Sequence, residues 1–473
     1  MHRKILSNLF ILISLNLLIK PFWILGIDRT VQNLVGNEQY GMYANLFAIS
    51  VIFGLLLDFG LNNYNSSQIA KNKENLDQSF SNITGFKLIA TIFYFVCTLS
   101  CGYLYGLKSN ELWLLFVLGI NQSLSFFVLF FRSNISGLQY FKTDSLLSIS
   151  DRFLMIIFMG YLIWFSGVVI KIEHFVYAQT TAYALAAAIS FLVLKPHLKV
   201  IKISFSGEQL MSILKHTFPY ALLGLLMILY TKMDVVLLKK IVNDTENGIY
   251  ASANRLLEAS NMFAAMVASM LLSLFSKNIA NKTELQSIIK ISTSVLLIPA
   301  IMLAVFCHIY KNEIMTMLSK NSTPYSSEIF GIVILSFVPM CLMYIFGTLL
   351  TANGNLKILN ITAAFTLLLN LFLNSILITK YGAWGAAITA VITQTFFAIC
   401  NIAFAKRMTN LKITGGIILK YLFFSVLYIL ITSYIHQSGI KTVTSIFICS
   451  VSGFALMLAL RIVNFGSILK LLP

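Results

Sequence analysis

Apolar runs long enough to cross a bilayer follow one another along almost the whole chain, separated by short polar stretches. A helix needs about 20 residues to traverse the hydrocarbon core. By that measure the pattern predicts fourteen membrane-spanning helices, at about 5–30, 40–66, 80–107, 111–139, 145–170, 173–195, 212–240, 247–277, 285–310, 326–352, 356–379, 383–406, 414–436 and 442–466. The longest connections, about 10–16 residues, lie around Lys71–Asp77, Pro196–Leu210 and Lys311–Pro324, so no soluble domain fits between spans. Met1–Lys4 is basic, but the apolar run after it is too long and lacks the small-residue exit of a cleavable signal, and it reads as the first span. The fold class expected is all-α, a polytopic membrane protein.

Composition agrees with that pattern. Of 473 residues, 58% are hydrophobic and only 11% charged, against roughly a quarter charged in soluble domains. One soluble core cannot hide so much apolar surface, whereas lipid is itself an apolar solvent. The net charge of +17, from 34 Lys and Arg against 17 Asp and Glu, does not mark a nucleic-acid binder here. Most of the cations sit in short loops, where they set topology. With the N-terminus inside, about fifteen loop cations fall on the cytoplasmic side and about eight opposite, which places both termini in the cytoplasm. Lys239 and Lys240 run against that rule. Cys97, Cys101, Cys307, Cys341, Cys400 and Cys449 all lie in apolar runs and read as small core residues. The six histidines are scattered without ligand spacing, and no metal or cofactor is expected.

The chain also echoes itself. Gly41-Met42-Tyr43-Ala44 opens the second span and Gly248-Ile249-Tyr250-Ala251 the eighth, each after an acidic residue, Glu38 or Glu246. The two spans end alike, in Ile69-Ala70-Lys71-Asn72 and Phe275-Ser276-Lys277-Asn278. A second echo links Gly137-Leu138-Gln139 with Gly354-Asn355-Leu356. The offsets, near 207 and 217 residues, correspond to six spans. Six spans preserve orientation, which describes parallel repeats about an axis along the membrane normal, with a substrate path between the halves.

Ten basic residues lie inside the spans: Lys20, Lys87, Arg132, Arg152, Lys215, Lys232, Arg255, Lys290, Lys420 and Arg461. Lys215, Lys290, Lys420 and Arg461 are close enough to helix ends to snorkel. A charge at the bilayer centre costs about 2.5–3.5 kcal/mol on insertion scales and therefore faces protein or water. Lys20 precedes Pro21, whose ring kinks a helix. Lys20, Arg29, Arg132, Lys232 and Arg255, with Lys87 as a sixth, are the candidate cations of a lumen, outnumbering their acids, and a cationic lumen suits a diphosphate. Asp58, Asp234 and Glu258 are candidates for ion coupling. Arg255 and Glu258, three residues apart, share a helix face and can also neutralise each other.

Three segments carry a family resemblance. Val35-Gly36-Asn37-Glu38-Gln39-Tyr40-Gly41-Met42-Tyr43 followed by Leu57-Asp58-Phe59-Gly60-Leu61 resembles the N-terminal signature of the polysaccharide-biosynthesis flippases. Lys232-Met233-Asp234 with Asn247-Gly248-Ile249-Tyr250-Ala251-Ser252-Ala253-Asn254-Arg255-Leu256 is the second match. Asn353-Gly354-Asn355 with Tyr381-Gly382-Ala383-Trp384-Gly385-Ala386-Ala387 is the third. Those flippases are the O-antigen (Wzx-type) and capsule translocases of the multidrug/oligosaccharidyl-lipid/polysaccharide (MOP, MATE-like) superfamily. The resemblance implies two six-helix lobes, 1–205 and 206–410, with a C-terminal helix pair at 411–473. It implies outward movement of an undecaprenyl-diphosphate-linked oligosaccharide across the bacterial inner membrane by alternating access, without covalent chemistry, so the protein is not expected to be an enzyme. Membrane lipid, an H+ or Na+ coupling ion and a polysaccharide polymerase machinery are the partners it implies. Arg29, in Leu25-Gly26-Ile27-Asp28-Arg29, is similar to the first-helix arginine of the related lipid II flippases, with the aspartate before it here instead of after. No P-loop is present, so ATP is not the direct driver. A drug/cation antiporter of the same fold predicts a lumen dominated by carboxylates. A membrane glycosyltransferase or polymerase predicts a long external loop with catalytic residues, which these connections do not provide.

Overall fold

The computed structural model describes residues 16, 18–199, 207–409, 415–460 and 462. The predicted stretches 5–15 and 463–466, the loop 200–206, Arg461 and Lys470 lie outside the described residues, apart from which no strand occurs. The helices are α1 (Leu18–Leu57), α2 (Leu61–Lys71), α3 (Leu76–Tyr105), α4 (Ser109–Gly137), α5 (Phe141–Trp164), α6 (Ile172–Leu194) and α7 (Gly207–Ile241). They continue as α8 (Asp244–Asn278), α9 (Lys282–Ile309), α10 (Lys311–Leu318), α11 (Pro324–Ala352), α12 (Leu356–Thr409), α13 (Gly415–Gln437) and α14 (Thr442–Ala459). All but the short α2 and α10 are long and apolar enough to cross a membrane, which makes twelve among the described residues.

Two of the twelve double back. α1 is interrupted at Gly36 (φ 83°, ψ 169°) and α12 at Gly382 (φ 57°, ψ −134°), backbone conformations open to glycine and strained for other residues. Across the first turn the Tyr40 hydroxyl donates to both Asp28 carboxylate oxygens, at 3.0 and 3.1 Å. Twelve residues along a straight helix would separate the two by about 18 Å. Across the second, a Cβ added to Gly385 would stand 2.1 Å from the Leu377 carbonyl oxygen. Counted as hairpins, α1 and α12 each hold two crossings, which gives the fourteen that the hydropathy pattern predicts. The pattern places a loop at residues 31–39, but helix continues to both sides of Gly36, because one left-handed residue is enough to reverse the chain.

By packing, the chain forms two compact units, residues 1–248 and 249–473. In the first unit the second crossing is itself broken, at residues 55–60. A 3-10 turn at Leu55–Leu57 leads through Phe59 (φ 45°) and Gly60 (φ 79°) into α2. Such a break exposes backbone groups that lipid cannot satisfy, so side chains must. Leu61 N donates to the Asp58 carbonyl (2.8 Å), which frees the Leu57 carbonyl that a continuous helix would use, and Lys87 Nζ from α3 donates to it at 2.9 Å. The Asp58 carboxylate accepts from Asn62 N at 3.2 Å, capping α2, and from Lys87 Nζ at 3.3 Å.

The two glycines aligned by the internal echo meet directly. A Cβ on Gly41 would lie 1.8 Å from the Asp244 carbonyl oxygen, and one on Gly248 would lie 1.9 Å from the Asn37 carbonyl oxygen. The contact is reciprocal: residue 41 meets 244 while 248 meets 37. Asn247 Nδ2 donates to the Gly41 carbonyl (2.9 Å) and Gln32 Nε2 to the Gly248 carbonyl (2.8 Å). Close by, Lys239 is held by Glu111 and by Asp244 Oδ1 (3.4 Å), and Lys240 Nζ donates to the Tyr105 carbonyl (3.2 Å) and lies 5.1 Å from its ring centroid. Local carboxylates and an aromatic face thus account for the two lysines that break the loop-charge rule.

Because backbone, not a flexible side chain, occupies the space beside each glycine, Gly41→Ala or Gly248→Ala forces main-chain displacement. Each is expected to lower stability by roughly 1–3 kcal/mol, the usual cost of overpacking. The double variant is expected to lose less than the sum of the singles, since both act on one contact. Thermal unfolding in detergent reads both effects; strict additivity would show that the two glycines do not share a contact.

Candidate functional site

The first unit gathers charge and aromatic surface around the start of α1. Past Pro21 the helix widens into a π-turn at Trp23–Asp28, a form that often marks functional positions. Trp23 is buried and stacks on Phe175 of α6 (5.7 Å, 1° between planes), and Tyr43 meets the edge of the same ring (5.2 Å, 73°). The Arg152 guanidinium of α5 lies over Trp23 at 5.8 Å and over Tyr183 of α6 at 5.7 Å, two cation–π contacts on one group. Arg152 Nε is 3.8 Å from Asp151 Oδ2. From α4, Arg132 Nε donates to Asp144 Oδ1 at 2.8 Å. Lys20 lies within electrostatic reach of Asp151, Arg132 and Arg152. Gln179 Nε2 donates to the Tyr43 hydroxyl at 2.9 Å, both buried, and Asn16 Nδ2 to Ser148 Oγ at 3.3 Å.

The exposure of this cluster decides its character. Arg132, Asp144, Arg152 and Asp151 retain 20%, 20%, 27% and 18% of their side-chain surface. Charges sealed in protein would have none, and charges facing lipid would be prohibitively costly. Partial exposure between spans fits a water-filled recess. Three cations, Lys20, Arg132 and Arg152, face two carboxylates, Asp144 and Asp151. Arginine presents its donors in a rigid fork that matches phosphate oxygens, and an aromatic clamp fixes the guanidinium plane. The recess can therefore take an anionic, hydrogen-bonding group, provided that the carboxylates yield their partners.

The other residues expected from sequence fall elsewhere. Arg29, half-buried, follows the π-turn directly. Lys232 Nζ stands 6.0 Å from the Phe47 ring centroid, on α7 against the second crossing. Asp234 is buried, at 5% exposure. Asp58 belongs to the helix break with Lys87. Arg255 and Glu258 lie in the second unit, and although three residues apart they differ in burial: Arg255 is 2% exposed and Glu258 is exposed. Sequence pattern brings Lys20 and Arg132 forward but does not single out Arg152, which is the centre of the cluster. The Asp151-Arg152 doublet inside an apolar run was its one local signal; the aromatic partners come from other helices.

The family model described as polysaccharide biosynthesis protein matches residues 5–279. An uncharacterized membrane protein of Methanocaldococcus jannaschii is 23% identical over 371 residues, 76% of this chain and 88% of its own length. Among solved structures, the lipid II flippase MurJ in an inward closed conformation superposes with a TM-score of 0.71 at 16% identity, covering 95% of this chain and 97% of that one. An inward-facing MATE-family multidrug resistance transporter of the MOP superfamily gives 0.64 at 17% identity, over 82% and 94%. A MOP superfamily transporter from Pyrococcus furiosus gives 0.58 at 16%, over 86% and 95%. The solved structures share the fold, and the sequence match, which covers more than half of the chain, carries the membership: this chain belongs to the polysaccharide biosynthesis protein family.

Proposed function

We propose that this multi-pass membrane protein moves an undecaprenyl-diphosphate-linked oligosaccharide from the cytoplasmic to the outer leaflet of a bacterial inner membrane by alternating access. The observation that carries the proposal is the partly exposed cluster of Lys20, Arg132 and Arg152 between membrane helices, with the Arg152 guanidinium held between Trp23 and Tyr183. A diphosphate cannot cross hydrocarbon unaided, because its charge loses hydration worth far more than thermal energy. A hydrated cationic recess replaces that hydration with guanidinium and ammonium donors. The sugars occupy the aqueous part of the path, while the polyprenyl tail stays in lipid. Two six-helix lobes, 1–205 and 206–410, rock about the repeat axis, and the pair at 411–473 is accessory. An H+ or Na+ gradient drives the cycle, with Asp234 and Glu258 as the coupling carboxylates. Arg29, Lys232 and Arg255 supply further positive charge along the path. The excess of cations over carboxylates in the recess favours this anionic cargo over the cationic drug of an antiporter.

The test is translocation of a fluorescent lipid-diphosphate oligosaccharide in proteoliposomes. Wild type is expected to flip it, and Lys20→Gln, Arg132→Gln and Arg152→Gln to slow it by about 10–100-fold each, the equivalent of one charge-assisted hydrogen bond. Folded protein that leaves this lipid in place and exports a cationic dye would refute the proposal. Orientation has its own test. In a cysteine-free background, Lys108→Cys is expected to react with an impermeant thiol reagent added to intact cells and Lys73→Cys only after lysis; the reverse pattern would invert the topology.

A further inference from the structure

We propose that the break in the second crossing is a site for one small monovalent cation, and that the protein fills it permanently with its own Lys87 ammonium. The surroundings of Lys87 Nζ are those of a bound cation. The Leu57 carbonyl oxygen lies at 2.9 Å and Asp58 Oδ1 at 3.3 Å, and the Phe126 and Phe130 ring centroids of α4 at 6.0 and 5.6 Å. Two oxygens, one of them anionic, and two π faces are the partners of a cation that has left water. Lys87 is 2% exposed, whereas Asp58 keeps 18% of its side-chain surface, so the ammonium is sealed in while the carboxylate reaches the edge of the site.

The backbone shows that the site belongs to the break and not to the lysine alone. The Leu57 carbonyl is available only because residues 58–60 leave the helix, through positive φ at Phe59 and Gly60. Asp58 also caps α2, so it is fixed in place by Asn62 N independently of Lys87. Interrupted membrane helices commonly hold their ions with such freed carbonyls. Here a side chain from α3 arrives first. Asp58 is therefore not open to a soluble Na+ or K+ in the native chain, and coupling through a free cation runs through other carboxylates. This conclusion stands whatever the cargo is.

Truncating the lysine should turn the tethered occupant into a dissociable one. Lys87→Ala removes, in size and charge, one n-propylammonium ion. Thermal unfolding of the full chain is measured with n-propylammonium chloride against choline chloride at equal ionic strength. Lys87→Ala is expected to gain roughly 3 °C or more from n-propylammonium, as a ligand bound only by the folded state does. Lys87→Met, which refills the space without charge, and wild type are expected to gain nothing. If Lys87→Ala is recovered as monodisperse protein only when purified with n-propylammonium, that also supports the site. No selective gain, or no recovery in either salt, overturns it. A second arm uses intact protein: a rise in wild-type Tm with Na+ or K+ over choline that Asp58→Asn abolishes would show Asp58 open to free cations, and would overturn the proposal directly.

Discussion

A charge placed among membrane helices persists only where another charge, a freed backbone oxygen, an aromatic face or water meets it, and that constraint organises the first unit of this protein. Lys87 illustrates the sealed solution. It is buried against Asp58, the Leu57 carbonyl and two phenyl rings, and removing one partner of such a pair is more damaging than its net contribution suggests. Arg132 with Asp144 and Arg152 with Asp151 illustrate the open solution, each group keeping part of its surface for water. The two cases differ in how far the cation itself is exposed, 2% for Lys87 against 20% and 27% for Arg132 and Arg152. Lys239, tied to Glu111 and Asp244 at the end of α7, is met in the same way by charge from neighbouring elements.

Backbone interruptions do the complementary work. Gly36 and Gly382 reverse the chain within single residues, so that neighbouring crossings pack without loops. The π-turn at Trp23–Asp28 rotates Trp23 toward Phe175 and Arg152, and the break at residues 55–60 opens the carbonyl that Lys87 uses. Gly41 and Gly248 allow main chain to touch main chain at the point where the repeats correspond. Each feature would be a defect in a featureless bundle; together they place polar groups at depths where an uninterrupted helix has none to offer.

The crossings were legible in the sequence because lipid demands about twenty apolar residues wherever a helix passes through it. The echo between residues 41 and 248 was legible as similarity, although its physical meaning, a reciprocal close contact, needed coordinates. Partnerships were not legible. Asp58 and Lys87 are separated by 29 residues, with α2 between them, and no spacing rule joins them. Arg152 looked like one of ten intramembrane cations until Trp23 and Tyr183, remote in sequence, were seen against its guanidinium. Lys239 and Lys240 looked like exceptions to a charge rule because their carboxylate and aromatic partners come from other elements. Hydropathy reports what each residue owes the lipid; it does not report what neighbours supply.

The central claim is that the recess around Arg152 binds the diphosphate of a lipid-linked substrate. Equilibrium binding of a water-soluble, short-chain prenyl diphosphate sugar to the purified protein in detergent tests it most directly. Saturable binding is expected, weakened by added salt and by about tenfold or more in Arg152→Gln, while a prenyl alcohol of the same length fails to compete. Binding that is indifferent to salt and to the loss of Arg152, or equal affinity for the alcohol, would contradict the account.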